Sequence, residues 1–246
     1  MKKERIDKLL VDLGFAESRT KAQAMVMAGV VLVNDKRIEK SSEQFFPNIS
    51  IRIKGESPES KFVGRGGLKL EKALREFQIC PAGYVCLDVG ASTGGFTDCL
   101  LQNDAKKVYA VDVGTNQIVW KLRIDERVEV RENINARNLK PEDFEEKFDL
   151  IVMDVSFISV TKIFPAIKDL LKKKGKIIVL IKPQFEIGKG DVGKGGVVRD
   201  AEKHKQVIEG VNQFTSGIGL INKGLTQSPI LGAEGNKEFL ALYETD

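Results

Sequence analysis

The stretch Asp88-Val89-Gly90-Ala91-Ser92-Thr93-Gly94-Gly95-Phe96-Thr97 constrains this chain most, because it reads as an apolar strand running through a glycine loop into a helix. Glycines at such a turn let the backbone approach a bound group closely, and a helix N-terminus behind them favours lone pairs and negative charge. Asp112 closes a second strand-like run 24 residues after Asp88, about where a ribose-binding carboxylate stands in an open α/β sheet. The dinucleotide pattern Gly-x-Gly-x-x-Gly is absent, since Gly90 is followed by Ala91, Ser92, Thr93 and the pair Gly94-Gly95. S-adenosylmethionine therefore fits this turn better than NAD.

Around this unit, strands are expected near 85–89, 107–112, 128–131, 148–154 and 176–182, and helices near 68–77, 95–102, 116–123, 158–172 and 200–215. Near-continuous apolar runs at 150–153 and 177–181 suit strands buried on both faces. The expected fold class is α/β, a Rossmann-like, mostly parallel sheet with helices on both sides. Residues 218–228 and 238–244 carry strand patterns with no helix between them, which predicts a terminal antiparallel pair on the sheet edge. A small α+β unit comes first. Ile6, Leu9, Leu10 and Leu13 recur at helical spacing, Gly14 stops the run, and Ser18 can cap a second helix that ends at Gly29. Residues 30–33 and 49–53 read as strands, with a tight turn at Asn34-Asp35. The polar, Pro-containing stretch 55–60 reads as the linker. The predicted organisation is a front domain over 1–58, a join at 59–63 and a body over 64–246.

A chain of 246 residues with 42% hydrophobic content can bury one α/β core and still carry a small extra domain. Its net charge of +4 is unevenly placed, because residues 1–75 hold 16 Lys/Arg against 10 Asp/Glu. A basic front end attracts a phosphate-rich partner, with Arg5, Lys8, Arg19, Lys21, Lys36, Arg37 and, beyond the linker, Arg65 as candidate contacts. A solvated helix surface is the plainer account of scattered charges. Cys80, Cys86 and Cys99 are odd in number and lack Cys-x-x-Cys spacing, so neither a disulfide framework nor a zinc site is supported. His204 is the single histidine, which removes Ser-His-Asp hydrolysis and His-rich metal sites. No metal is expected. No secretory signal or spanning segment is expected either, and the cytoplasm is the simplest compartment.

Ligands of parallel sheets sit at the carboxyl ends of the strands. Asp154 follows four apolar residues and Lys182 follows five; on adjacent strands about 5 Å apart they would come within side-chain reach. Asp154 can alternatively be a helix cap, and Lys182 a solvated strand end. A ribose hydroxyl is a poor nucleophile near neutral pH, so methylating it asks for a general base or for strong orientation of the oxygen. Lys69, in Gly64-Arg65-Gly66-Gly67-Leu68-Lys69-Leu70, is the candidate second cation. The glycines there read as a close approach to a cofactor or phosphate, or as a plain helix start. An Asn-Pro-Pro-Tyr-like turn is missing where Asp154-Val155-Ser156-Phe157 stands, and all three cysteines lie at or before residue 99. Oxygen is thus favoured over exocyclic nitrogen or base carbon as the methyl acceptor. The Gly/Lys-rich run 188–196 lacks the register of a phosphate loop and reads as a mobile loop bordering an RNA site, or as a surface excursion.

Taken in order, these motifs resemble a known family. They are Arg5-Ile6-Asp7-Lys8-Leu9-Leu10, Ser18-Arg19 and Gly29-Val30-Val31-Leu32-Val33-Asn34 in front, then Arg65-Gly66-Gly67-Leu68-Lys69-Leu70 and Asp88 to Thr97. Asp154-Val155-Ser156-Phe157, Lys182-Pro183-Gln184-Phe185-Glu186 and Gly235-Asn236-Lys237-Glu238 complete the set. Over nearly its whole length the chain resembles the TlyA (haemolysin A) family of ribosomal RNA 2′-O-methyltransferases, whose body is similar to the FtsJ class and whose front end is similar to the RNA-binding module of ribosomal protein S-four. The resemblance implies a class I methyltransferase fold, S-adenosylmethionine as cofactor, and ribosomal RNA or ribosomal subunits as partner. It implies a tetrad of Lys69, Asp154, Lys182 and Glu238, in which Lys182 activates the 2′-hydroxyl, Asp154 holds that lysine, and Lys69 and Glu238 complete the cage. Gly90, Gly94 and Gly95 would face the methionine part of the cofactor, with Asp88, Ser92, Phe96 and Asp154 in the same site. Asp112 would meet the ribose and Asn135 the adenine side, with Asn133 as the nearby rival. The expected target is a cytidine ribose, in large-subunit RNA because the chain is short at both termini. Two other classes stand beside this one: a catalytically idle RNA-binding or assembly factor, and a membrane-lytic protein, against which the lack of a spanning segment argues.

Overall fold

Ile6, Leu9 and Leu10 line the buried face of helix α1 (Ile6–Asp12), and Ala22 and Val26 that of α2 (Arg19–Met27). In this computed structural model, residues 3–34, 36–47, 49, 51–53, 61–188 and 192–245 are described. They form two units, residues 1–61 with 120–124, and residues 62–119 with 125–246. In the first, the Ser18 hydroxyl accepts from Lys21 N at 3.2 Å and caps α2. Strand β1 (Glu4–Arg5) pairs with β4 (Gln44–Phe45), while β2 (Val31–Val33) lies between β3 (Lys36–Arg37) and β5 (Ile51–Ile53), all antiparallel. The side chain of Asp7 is fully buried and accepts from Arg5 at 2.9 and 3.0 Å, Arg19 at 3.1 Å and Gln23 at 2.9 Å. Arg5 and the other donors hold this carboxyl well below the usual range, against the opposing effect of its burial. The expected linker at 55–60 and the turn residue Asp35 lie outside the described residues.

The second unit is built on a seven-stranded sheet: β6 (Val85–Val89), β7 (Lys107–Val111), β8 (Val128–Arg131), β9 (Phe148–Met153), β10 (Leu171–Ile181), β11 (Leu220–Gln227) and β12 (Phe239–Thr245). Their order is β11-β12-β10-β9-β6-β7-β8. The five strands from β10 to β8 are parallel, and β12 runs antiparallel to both of its neighbours. The central strands are buried on both faces, as their continuous apolar runs require. Helices α3 (Gly66–Glu76), α4 (Gly95–Gln102), α6 (Phe164–Lys168), α7 (Pro183–Glu186) and α8 (Ala201–Gly217) complete this unit, whereas α5 (Trp120–Arg123), between α4 and α6 in the chain, falls in the first unit. Among the described residues no helix is long and apolar enough to cross a membrane.

Several elements depart from the expectations drawn from sequence. The helix expected at 116–123 is only α5, because the Glu132 carboxylate takes the backbone N–H groups of Asn116, Gln117 and Ile118 at 2.9, 2.8 and 3.4 Å and holds them as a loop. The helix expected at 158–172 splits into a 3-10 turn at Val160–Lys162 and the short α6. Leu171 already pairs with Phe148, so β10 starts five residues early and absorbs an irregularity before Lys176. Phe62 and Val63, assigned to the join, belong to the second unit: Phe62 is buried, and Val63 N donates to Asp98 at 2.8 Å.

Candidate active site

Three strand ends and one helix converge on a single crevice of the second unit. Asp154 follows β9, with its N–H on Val89 O at 3.0 Å. Lys182 follows β10. Because Ile181 pairs with Phe239 across the antiparallel β10–β12 ladder, the residue after one and the residue before the other, Lys182 and Glu238, come out at the same end of the sheet. Lys69, in the second turn of α3, reaches across to them. The four side chains form an alternating chain of charge. Glu238 meets Lys69 at 2.7 Å, Lys69 is 3.7 Å from Asp154, and Asp154 Oδ1 is 2.6 Å from Lys182 Nζ. Lys182 also donates to Ser156 Oγ at 2.8 Å. Glu238 is 2% exposed, Lys69 7% and Lys182 8%. Ion pairs buried this deeply need every member, since removing one leaves a neighbour's charge uncompensated.

Two adjoining hollows meet at Gly90, Ser92, Asp154 and Ser156. One, of 260 Å³, is polar and includes Lys69, Lys182, Arg65, Gly95 and Phe96. The other, of 470 Å³, has apolar walls including Val113, Ile134 and Ile158, together with Asp112 and Asn135. The glycine loop is shaped by contact as well as by its φ angles. Gly90 has φ +82°, and a Cβ there would lie 2.4 Å from the carbonyl oxygen of Asp154; Gly94, at φ 98°, is the N-cap of α4. Asp112 accepts from Ser92 N at 2.8 Å and Gly114 N at 2.7 Å, which fixes its carboxylate at the cleft while its remaining lone pairs stay available. Asn135 lines the cleft and caps a 3-10 turn by accepting from Arg137 N at 3.1 Å. Asn133 does not line it, and accepts instead from the Thr115 hydroxyl at 2.6 Å.

Asp88 is fully buried at the base of the loop. Its Oδ2 accepts from the Thr97 hydroxyl at 2.6 Å, and its Oδ1 has no hydrogen-bond partner among the described residues. Burial pushes its carboxyl up to about 7, aided by the charges of Asp154 and Asp112 and opposed by the Thr97 hydrogen bonds. A strand-end glycine at which a Cβ would collide with the Asp154 carbonyl, and a hollow divided into an apolar and a charged half, fit an adenosyl group joined to a zwitterionic tail; Asp88 itself lines neither half.

The remaining predicted positions are placed less simply. Gly67 and Gly95 serve helix packing: a Cβ on Gly67 would lie 2.3 Å from the Phe62 ring, and one on Gly95 would lie 3.0 Å from Gly67 N. Only Gly66 of the glycine pair lines the hollow. Arg5 and Arg19 are tied to Asp7, Lys8 to Glu4 at 2.9 Å, and Lys21 to Glu17 at 3.6 Å. Lys36 and Arg37 are exposed. In the loop expected over 188–196, residues 189–191 lie outside the described set. Sequence reasoning passes over Ser156 and Gly232. A Cβ on Gly232 would fall 2.0 Å from Glu238 Oε1, so a glycine backs the acid of the tetrad. A lone glycine among loop residues carries no signal for that.

Residues 62–244 match the FtsJ-like methyltransferase family, and residues 4–45 match the S4 domain. The chain belongs to the FtsJ-like methyltransferase family. It is an enzyme of the class I methyltransferase fold, and it has relatives that carry the TlyA and haemolysin names. A candidate rRNA methyltransferase of Bacillus subtilis, YqxC, is 48% identical over 240 residues, covering 97% of this chain and 85% of the relative. The 16S/23S rRNA (cytidine-2′-O)-methyltransferase TlyA of Mycobacterium tuberculosis is 40% identical over 244 residues, covering 99% of this chain and 91% of that protein. A solved structure from Streptococcus thermophilus, described as a candidate hemolysin, superposes with a TM-score of 0.75 at 47% identity, covering 100% of this chain and 90% of that one.

Proposed function

We propose that this FtsJ-like enzyme uses S-adenosylmethionine to methylate the 2′-hydroxyl of a cytidine in ribosomal RNA, with large-subunit RNA as its substrate. The observation that carries the reading is the chain Glu238–Lys69–Asp154–Lys182, with its 2.7, 3.7 and 2.6 Å contacts, whose Asp154 stands where the two hollows meet and whose two lysines line the polar one. Its support from relatives is the cytidine-2′-O specificity in the name of the Mycobacterium protein, and, for the large subunit, the 23S rRNA (cytidine-2′-O)-methyltransferase TlyA of Campylobacter jejuni, 36% identical over 243 residues. S-Adenosylmethionine supplies an electrophilic methyl group on a sulfonium centre. The apolar hollow around Val113 and Ile134 receives the adenine, Asp112 the ribose hydroxyls, and Gly90 to Gly95 the methionine part.

Lys182 acts on the acceptor. A lysine ammonium has three N–H donors; Ser156 Oγ takes one of them, Asp154 Oδ1 stands 2.6 Å away as the ion-pair partner, and the ammonium offers a further donor to the 2′-oxygen. Asp154 and Ser156 fix the direction of that donor, so the oxygen is held in line for attack. Methylation of the hydroxyl would release one proton, which passes to solvent, and a cation beside the oxygen lowers the cost of the negative charge that develops there as the proton departs. Lys69 and Glu238 set the position of Asp154 from behind. The S4 domain and the cations of the front unit add affinity through the phosphate backbone rather than through base readout. Incubating the protein with tritiated cofactor and separate ribosomal subunits tests the reading. Label recovered as 2′-O-methylcytidine in large-subunit RNA supports it. Label on a base, or only in small-subunit RNA, or none at all, overturns it; the last outcome favours an idle binding factor.

A further inference from the structure

One residue from Glu238, a separate hollow of 280 Å³ is lined by Arg199 and Lys237. Both side chains are exposed, and neither makes an ion pair or hydrogen bond among the described residues. Most cations near the tetrad and along the sheet are spent on carboxylates, as Lys69, Lys107, Lys172 and Lys176 show. The walls behind this unspent pair are rigid. Asn236, 2% exposed, accepts from Val198 N at 3.0 Å and donates to Gly196 O at 3.0 Å. The buried His204 places Nε2 2.8 Å from Val198 O and packs its ring 5.4 Å from that of Phe239. The segment carrying Arg199 is thereby pinned to the segment carrying Lys237, which brings both cations to one hollow with no carboxylate paired to either among the described residues. Glu234 shares the wall but pairs with neither, which leaves the hollow with one surplus positive charge.

We propose that this hollow binds a backbone phosphate of the RNA strand whose ribose enters the tetrad. A guanidinium offers phosphate a planar two-point contact and an ammonium offers a point charge, a combination suited to an anion that must be gripped but not read. Lys237 and Glu238 are consecutive, with Cα atoms about 3.8 Å apart. Glu238 is buried against Lys69 while Lys237 is exposed. One step of the chain therefore separates the group that frames the reacting ribose from the group that holds a neighbouring phosphate. The identity of the polyanion rests on the RNA methylation reading above; the hollow adds the path by which the strand leaves the catalytic crevice.

The test uses the full chain and a labelled oligocytidylate of about 12 nucleotides, with affinity followed between about 50 and 200 mM KCl. Giving up one bound phosphate lowers the magnitude of the log–log salt slope by roughly 0.7 for a single strand. Because both cations grip one phosphate, the Arg199→Gln, Lys237→Gln double variant is expected to show that decrease once, with cofactor affinity unchanged. Glu234→Gln is expected to tighten binding at low salt, and the charge-keeping Arg199→Lys and Lys237→Arg variants to retain the slope. Lys205→Gln, on α8 and paired with Glu209, is the control for net charge. An unchanged slope in the double variant, or an equal fall in the Lys205 control, overturns the site. If the double variant misfolds, the Glu234→Gln result decides, and no tightening there rejects the site. Failure of the parent protein to methylate ribosomal RNA while these slopes behave as expected would remove the methylation reading and leave the phosphate site standing.

Discussion

Asp88 carries its proton differently in the folded and unfolded chain. Its buried carboxyl is raised to about 7, whereas in the unfolded chain it titrates near 4. The folded state therefore binds the extra proton between those values, and the stability this contributes is full below about 4 and is lost as pH rises through about 7. Asp88→Asn should remove that dependence, so in thermal unfolding without cofactor the variant gains on the parent as pH rises from 4 to 7; parallel curves would count against it. At Lys182, replacement by Ala should cut methyl transfer by at least about 100-fold with cofactor affinity retained. Asp112→Ala should instead weaken the cofactor by about tenfold, the loss of a hydrogen bond or two to the ribose. Calorimetric titration of cofactor beside transfer assays separates the two, and equal loss of affinity in both variants would contradict the assigned roles. Asp154 and Lys182 can be picked out in the sequence because each polar residue ends an apolar run, which puts it at a strand's carboxyl end. Gly232 and Ser156 cannot, since what matters at Ser156 is a contact with Lys182 on another strand end, and at Gly232 the space that its missing Cβ leaves for Glu238.

Between elements, the start of α4 lies tightly against α3 and the turn before it. A Cβ on Gly95 would stand 3.0 Å from Gly67 N and 3.1 Å from Gly64 O. Backbone atoms cannot swing aside as a long side chain can, so Gly95→Ala should cost roughly 1–3 kcal/mol, read by denaturant unfolding; an unchanged midpoint would show that the helices have room to part. Long apolar strands are legible from sequence because burial on both faces leaves an unbroken hydrophobic run. The two-residue strands β1, β3 and β4 have too few residues to show any periodicity. The loop at 116–118 reads as helix in the sequence because its backbone donors are satisfied by Glu132, 14 to 16 residues away. The meeting of Glu238 with Lys69 depends on the antiparallel register of β12, a long-range fact that local pattern only hints at.

At the scale of the whole chain, each unit has its own core, around Ile6, Leu10 and Val31 in the first and Leu87, Ile151 and Val179 in the second. Arg5, Lys8, Arg19 and Lys21 of the front end are each paired with an acid there, so these four are committed within the unit although the net surplus is unchanged. Removing residues 1–60 should raise the RNA concentration needed for half-maximal transfer while leaving cofactor binding intact; unchanged RNA affinity would mean that the S4 domain is not a recognition module. The central claim is that Lys182, held by Asp154, directs a methyl group to a ribose oxygen of ribosomal RNA. Mapping 2′-O-methylated riboses in cells lacking this protein, complemented with either the parent chain or Lys182→Ala, tests it most directly. The account predicts a cytidine in large-subunit RNA that is methylated with the parent and unmethylated with the variant. Methylation restored by Lys182→Ala, or no ribose that depends on the parent protein, would contradict it.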